Sequence, residues 1–280
     1  MNAIDLILTP LTYPFMVRAL MASVMVGVVC SVLGTYVILQ GLAFFGDALA
    51  HTILPGVVIA FMLGWPLAVG ALIFGVLTAI GIGALSKQAE IKEDTAIGII
   101  LAGSFALGVA LLSTMNSYAV DLAHILFGDV LGVGTTDLWL IFGLGLLVLA
   151  TIIAFYKEFL VLAFDPTLAV VLRLPATALR YLLLILIAVT IVVSLQTVGV
   201  ALMLAMLVTP ATTAYLLTRR LPTMMVTAAV IGALSNVTGL YLSYYINIAS
   251  GPAMVLVSTS VFILVFLFAP ARGLIWRRAG

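Results

Sequence analysis

The residues best suited to chemistry are an aspartate and a histidine that lie four positions apart in an apolar part of the chain. Asp47 and His51 belong to segment 46–56, which reads GDALAHTILPG. On a helix, residues four apart share one face, with their Cβ atoms about 5–6 Å apart. A carboxylate and an imidazole on one face are suitable ligands for a divalent transition metal. The proline at position 55 is expected to kink or break such a helix just beyond the pair.

The composition places this pair inside a membrane protein. Of the 280 residues, 65% are hydrophobic and 8% are charged, whereas a soluble domain has about 45–50% apolar and about 25% charged residues. The formal net charge of +1 provides no basic surface for nucleic acid. The sequence contains neither a GxxxxGK[ST] phosphate loop nor a GxSxG motif. Soluble enzymes, nucleic-acid-binding proteins and a chain that hydrolyses ATP through a phosphate loop are therefore excluded.

Three interpretations of Asp47 and His51 stay open when only the residues are considered. The pair can bind a metal ion, form a hydrogen bond that neutralises both groups, or belong to a proton relay. Ionisable groups at membrane depth are costly and usually mark pathways or pairs, whereas a relay needs further acids, and the other acids that we find on this path lie in an outer loop. Two ligands are fewer than a metal site needs. Others must come from another segment, from water or from a second copy of the chain.

Nine apolar stretches have the length of about 20 residues that is needed to cross a bilayer. They cover residues 15–39, 42–64, 66–86, 95–115, 138–156, 180–198, 199–217, 223–246 and 253–270. The sixth and seventh have almost no loop between them, so either could be a broken or re-entrant helix. We therefore predict an all-α polytopic membrane protein with eight or nine transmembrane helices and a single domain over residues 1–280.

The distribution of lysine and arginine predicts the orientation, because cytoplasmic loops are enriched in both. They occur in the loops near 87–92, 157–180 and 219–220 and at the C-terminal end, and they are absent from 116–137 and 247–252. This pattern places the C-terminus in the cytoplasm and the N-terminus outside. The outer loop also predicts a short interfacial helix at 121–129, which contains Asp121, His124 and Asp129.

A second short helix is predicted on the cytoplasmic side, at about residues 165–175. Asp165 can cap its first turn, Pro166 suits its first position, and Pro175 lies just past its end. A capped helix in such a loop is either a docking element or a plain connector, and these residues alone do not decide between the two.

Five blocks of sequence resemble one family of transporters. Segment 46–56 resembles the signature of permeases from ABC importers for manganese, zinc and iron. Further blocks that resemble this family follow in the same order at 94–98, 126–128, 164–165 and 197–216. The resemblance extends over most of the chain, from residue 20 to residue 270, and implies an ABC importer permease fold.

The resemblance also implies an assembly. Members of that family are homodimeric permeases in the prokaryotic cell (inner) membrane. They act with cytoplasmic ATP-binding subunits and an extracellular or periplasmic metal-binding protein. In the family, Asp47 and His51 of both protomers would meet near the dimer axis as the transport site. The proline at position 55 resembles the manganese and iron branch. The expected cargo is therefore manganese, with zinc or iron as alternatives, and a proton-coupled secondary metal transporter is the alternative of another class.

The expected role is transport, and ATP hydrolysis belongs to a separate subunit. Concentrative uptake needs free energy, and the short helix lies on the side from which an ATPase could deliver it. The candidate residues for coupling to that ATPase are Asp165, Pro166, Ala169, Val170 and Leu172. No permanently bound cofactor is expected besides the transported metal.

Overall fold

The computed structural model describes residues 8–88, 91–114 and 130–269, and within these ranges it contains helices and no strands. The helices are α1 (Pro14–Leu39), α2 (Ala43–Thr52), α3 (Leu54–Met62), α4 (Leu67–Gln88), α5 (Glu93–Ser113), a 3-10 helix (Val130–Gly132), α6 (Thr135–Ala154), α7 (Tyr156–Phe164), α8 (Pro166–Val171), α9 (Ala176–Val198), α10 (Val200–Leu217), α11 (Leu221–Ile246) and α12 (Ser250–Phe268). The interfacial helix predicted at 121–129 lies outside the described residues.

Eight helical segments in the described ranges are long and apolar enough to cross a membrane. They are α1, the combined segment Ala43–Met62 formed by α2 and α3, and helices α4, α5, α6, α9, α11 and α12. The apolar part of α10, Leu202–Leu217, is shorter than the others. The prediction of an all-α polytopic membrane protein with eight or nine spans is confirmed.

A local change of the backbone separates consecutive helices at two places, between the predicted stretches 180–198 and 199–217 and inside the stretch 42–64. Gly199 separates α9 from α10 and has a φ of 78°, which glycine adopts without steric cost. Ile53 separates α2 from α3, and Pro55 lies in the first turn of α3. Proline is favoured in a first helical turn because its missing N–H would have no partner there. The interruption therefore falls between His51 and Pro55, just beyond the pair, as predicted.

The described residues form two compact units, each built from separate parts of the chain. The first unit comprises the described residues of Met1–Ile38, Leu126–Leu147 and Thr197–Gly280. In this unit α10, α11 and α12 pack on one another. The buried Asn236 of α11 donates a hydrogen bond from Nδ2 to the backbone carbonyl of Ser23 in α1. Interhelical hydrogen bonds of this kind stabilise the association of helices in membranes.

The second unit, which contains the Asp47–His51 pair, comprises the described residues of Leu39–Ile125 and Val148–Gln196. In this unit α2 and α3 pack against α5, and α3 packs against α4. Helices α3 and α4 cross in backbone contact: a Cβ atom at Gly70 would lie 2.1 Å from the carbonyl oxygen of Gly56. Small residues permit such close approach of membrane helices. The crossing therefore fixes α3 directly after the end of α2.

Candidate metal site

Helix α2 brings Asp47 and His51 together in the middle of a span. The Oδ1 atom of Asp47 lies 3.7 Å from Nε2 of His51. His51 is the ninth of the 20 residues in the candidate span Ala43–Met62. The side chain of Asp47 is 35% exposed and that of His51 is 38% exposed. The pair therefore lies on one helical face near mid-span, as its spacing predicts, and ligands from outside this helix can reach it.

The distance between the two side chains suits a shared ion better than a direct hydrogen bond. At 3.7 Å the nitrogen and oxygen atoms are farther apart than in a hydrogen bond. Two atoms that each lie about 2.1 Å from the same metal ion can be up to about 4.2 Å apart. The geometry is thus compatible with both side chains binding one ion, and it contains an ion-pair distance but no direct hydrogen bond between them.

The pair supplies two ligands and no more within the described part of the chain. No group of three or more histidine, cysteine, aspartate or glutamate side chains there could hold a metal ion. Asp121, His124 and Asp129 lie outside the described residues. A complete coordination shell therefore needs water or side chains from elsewhere. The same need follows from the sequence, which offers only Asp47 and His51 in this segment.

Phe105 of α5 restricts the imidazole of His51. The two ring centroids are 6.1 Å apart and the ring planes are nearly perpendicular, at 88°, which is a favourable arrangement for aromatic rings. An apolar group beside a metal ligand also controls access of water to the site. Sequence reasoning missed Phe105, because it lies in another span and no local pattern distinguishes it from the other phenylalanines.

The short helix α8 has the cap that the sequence predicts. The Oδ1 atom of Asp165 accepts hydrogen bonds from the backbone N–H groups of Thr167, at 2.9 Å, and Leu168, at 3.1 Å. It also accepts one from the Thr167 hydroxyl. The Thr167 hydroxyl and the Leu168 N–H stabilise the carboxylate, and together they lower the pKa of Asp165. This cap fixes the start of α8 directly after α7.

Helix α8 is shorter than predicted and presents an apolar edge. It ends at Val171, since Arg173 has a φ of 56°, in the left-handed region that stops a helix. Ala169 is fully buried. The large apolar side chains that are exposed at α8 and just after it are Leu168, Val171 and Leu172. The structure describes no side chain for Pro166 or Val170. Among the candidate coupling residues, Leu172 is therefore open to a partner and Ala169 is part of the packing.

The fold and the pair define the class of the protein, a polytopic helical membrane protein with ionisable side chains in the middle of a span, where such groups usually mark a substrate pathway. The chain belongs to the ABC 3 transport family, whose model matches residues 12–269. The resemblance seen in the sequence blocks is confirmed. Members of this family are permease subunits of transporters, so the chain is a transport subunit of the cell membrane and not an enzyme.

Individual relatives share most of their length with this chain. It is 47% identical over 267 residues to the manganese transport system membrane protein MntC of Halalkalibacterium halodurans. The matched region covers 95% of this chain and 91% of the relative. It is 40% identical over 264 residues to the chelated iron transport system membrane protein YfeD of Yersinia pestis, covering 94% and 89%. The solved structure of PsaBC from Streptococcus pneumoniae in complex with Fab contains a chain of the same fold, with a TM-score of 0.85, 38% identity, and coverage of 96% of this chain and 97% of that chain.

Proposed function

We propose that this chain is the membrane-spanning subunit of an ATP-driven importer of divalent transition-metal ions, with manganese as its main cargo. Both compact units would act as one permease domain over residues 1–280. The ion would pass between two copies of the chain, through a site built from Asp47 and His51 of each copy. The observation that carries the proposal is this half-exposed pair, whose Oδ1 and Nε2 atoms lie 3.7 Å apart near mid-span.

A second copy would complete the coordination shell. One chain contributes one carboxylate and one imidazole, so a symmetric pair contributes two of each. In the single chain, the surface of α5 beside the site is largely exposed: a Cβ atom at Gly98 or Gly103 would meet no atom within 4 Å, and Phe105 is 45% exposed. This surface leaves room for a second copy next to the half-exposed pair.

The proposed ligands alone do not select manganese. Two carboxylates and two imidazoles suit manganese and iron, and they also suit tetrahedral zinc, which binds such ligands more tightly than manganese does. Manganese is proposed because the relative from Halalkalibacterium halodurans is named a manganese transport protein. Iron is the second candidate, because the relative from Yersinia pestis is named for chelated iron. Selection would then depend on site geometry and on an extracellular metal-binding protein that delivers the ion.

The energy would come from cytoplasmic ATP-binding subunits that contact α8. This assignment places the C-terminus in the cytoplasm and the N-terminus outside. The capped start at Asp165 and the left-handed stop at Arg173 hold α8 between α7 and α9. A short helix that is fixed at both ends can transmit a push. Its exposed apolar edge, with Val171 76% exposed, is a suitable surface for the ATPase.

The proposal is tested by reconstituting the chain in liposomes with its ATPase and its extracellular metal-binding protein and comparing metals. Manganese should stimulate ATP hydrolysis and accumulate inside, and Asp47→Asn and His51→Gln should each abolish accumulation while the complex still assembles. Asp137→Asn is the matched control, because it makes the same change at the start of α6 and keeps an acceptor for the N–H of Gly134. Normal uptake by either site variant would refute the site, and stimulation by zinc alone would refute manganese as the cargo.

A further inference from the structure

A small basic cavity lies in the second unit, where α4 ends and α9 begins. Its volume is about 260 Å³. The lining residues are Gly83, Ser86, Lys87, Leu162, Ala176, Thr177, Arg180 and Tyr181. The candidate spans end at Lys87 and begin at Ala176. The cavity is therefore at the membrane boundary and not at the depth of the Asp47–His51 pair.

The charges around this cavity are not balanced within the described residues. Arg180 forms an ion pair with Glu93, at the start of α5. The Lys87 ammonium lies 3.4 Å from the hydroxyl oxygen of Thr177, which is a neutral partner. Two cations and one paired carboxylate leave one positive charge at the cavity.

The polar groups of the lining are those that bind phosphate. Arg180 and Lys87 line the cavity, and the hydroxyl-bearing residues Thr177 and Tyr181 line it as well, whereas the hydroxyl of Ser86 donates to the backbone carbonyl of Ile91. Arginine and lysine are the usual cationic partners of phosphate oxygens. Basic cavities between helices at a membrane boundary bind the headgroups of anionic lipids. The remaining lining, Gly83, Leu162 and Ala176, is small or apolar and leaves space for the group.

We propose that this cavity is a phosphate-binding site, in which Lys87 and Arg180 hold a phosphate group and Thr177 supplies a further hydrogen bond. The phosphate belongs either to the headgroup of an anionic phospholipid or to free phosphate. A bound phosphate would connect the end of α4 to the start of α9, because Lys87 and Arg180 belong to these two helices. This inference does not depend on the metal site or on transport.

The test uses the full chain in nanodiscs and does not measure transport. One arm adds phosphatidylglycerol to phosphatidylcholine discs, and the other adds inorganic phosphate to discs of phosphatidylcholine alone. The ligand should raise the midpoint of thermal unfolding. Lys87→Gln should lower the apparent affinity for the ligand, obtained from the dependence of the midpoint on ligand concentration, about fivefold, the factor expected for one cation lost at an anionic surface. Lys92→Gln is the matched control, since it removes the same charge from the same loop but does not line the cavity.

Thr177→Val is a second variant that leaves all charges unchanged. It should also weaken the effect, and it tests the proposal if Lys87→Gln fails to fold. Stabilisation by phosphatidylglycerol alone identifies the lipid headgroup, and stabilisation by inorganic phosphate identifies the free anion. The proposal is wrong if neither ligand stabilises the parent chain. It is also wrong if Lys87→Gln and Lys92→Gln weaken the effect equally, which would show general surface attraction without a site.

Discussion

The backbone contact between α3 and α4 gives a sharp prediction for the substitution Gly70→Ala. The added Cβ atom would lie 2.1 Å from the carbonyl oxygen of Gly56 and 2.5 Å from the Cβ atom of Ala60. Ordinary van der Waals contact begins at 3.4 Å. The two helices would have to separate by more than 1 Å at this point, because the nearest atom belongs to the backbone and cannot rotate away.

The expected cost follows from this overlap. Extra methyl groups in a well-packed core usually cost 1–3 kcal/mol, so the overlap should cost about 3 kcal/mol, and after the opposing helix propensity Gly70→Ala should lower the free energy of unfolding by about 2 kcal/mol. The opposite effect would come from helix propensity, where alanine is favoured over glycine by about 1 kcal/mol. The overlap is the larger effect. Since α3 directly follows α2, the displacement should also disturb the Asp47–His51 pair and reduce metal uptake.

The measurement is the unfolding of the purified chain in lipid nanodiscs, with metal uptake measured in parallel. Gly143→Ala is the matched control, because it makes the same change in helix α6 where a Cβ atom would meet nothing within 4 Å. This control should keep or slightly raise the stability. If Gly70→Ala unfolds at the same point as Gly143→Ala, the close crossing of α3 and α4 is refuted.

Three further predictions concern the site and the coupling helix. Phe105→Leu should preserve assembly and weaken metal binding, measured by titrating the complex with manganese, because the His51 ring loses its aromatic neighbour. Phe105→Tyr should restore the binding, and unchanged binding in Phe105→Leu would refute a positioning role. Val171→Glu should uncouple ATP hydrolysis from uptake without affecting metal binding, since this exposed side chain belongs to the proposed ATPase surface; normal transport by this variant would contradict that surface. The hydrogen bonds to Asp165 lower its pKa below the ordinary 3.8. The stabilisation by this cap is therefore complete above pH 3.8 and is lost as the pH falls through the lowered pKa. Coupling should consequently not vary near neutral pH through this group.

Local features of the fold could be predicted because each depends on neighbouring residues. Apolar length indicated the spans, and the Asp165–Pro166 sequence predicted the cap that the Thr167 and Leu168 N–H groups complete. The end of α8 was placed too late, because nothing in the sequence shows that Arg173 takes a left-handed conformation. Side-chain preference at a single position is too weak to reveal it.

Contacts between distant parts of the chain could not be predicted in the same way. The spacing of Asp47 and His51 is a helical repeat and is visible in the sequence. The approach of Phe105 to His51 and the ion pair between Glu93 and Arg180 depend on how separate spans pack. Many pairs of residues in an apolar chain could form such contacts, and the sequence of one chain does not indicate which of them do.

The interruption at Ile53 has a consequence for the backbone groups at the centre of the membrane. Pro55 has no N–H to donate to the carbonyl of His51, four residues before it. Ile53 keeps right-handed helical angles, and its N–H donates to the carbonyls of both Leu49 and His51. The bend therefore places no unpaired acceptor of His51 in the membrane interior, where an unsatisfied backbone group would cost several kcal/mol.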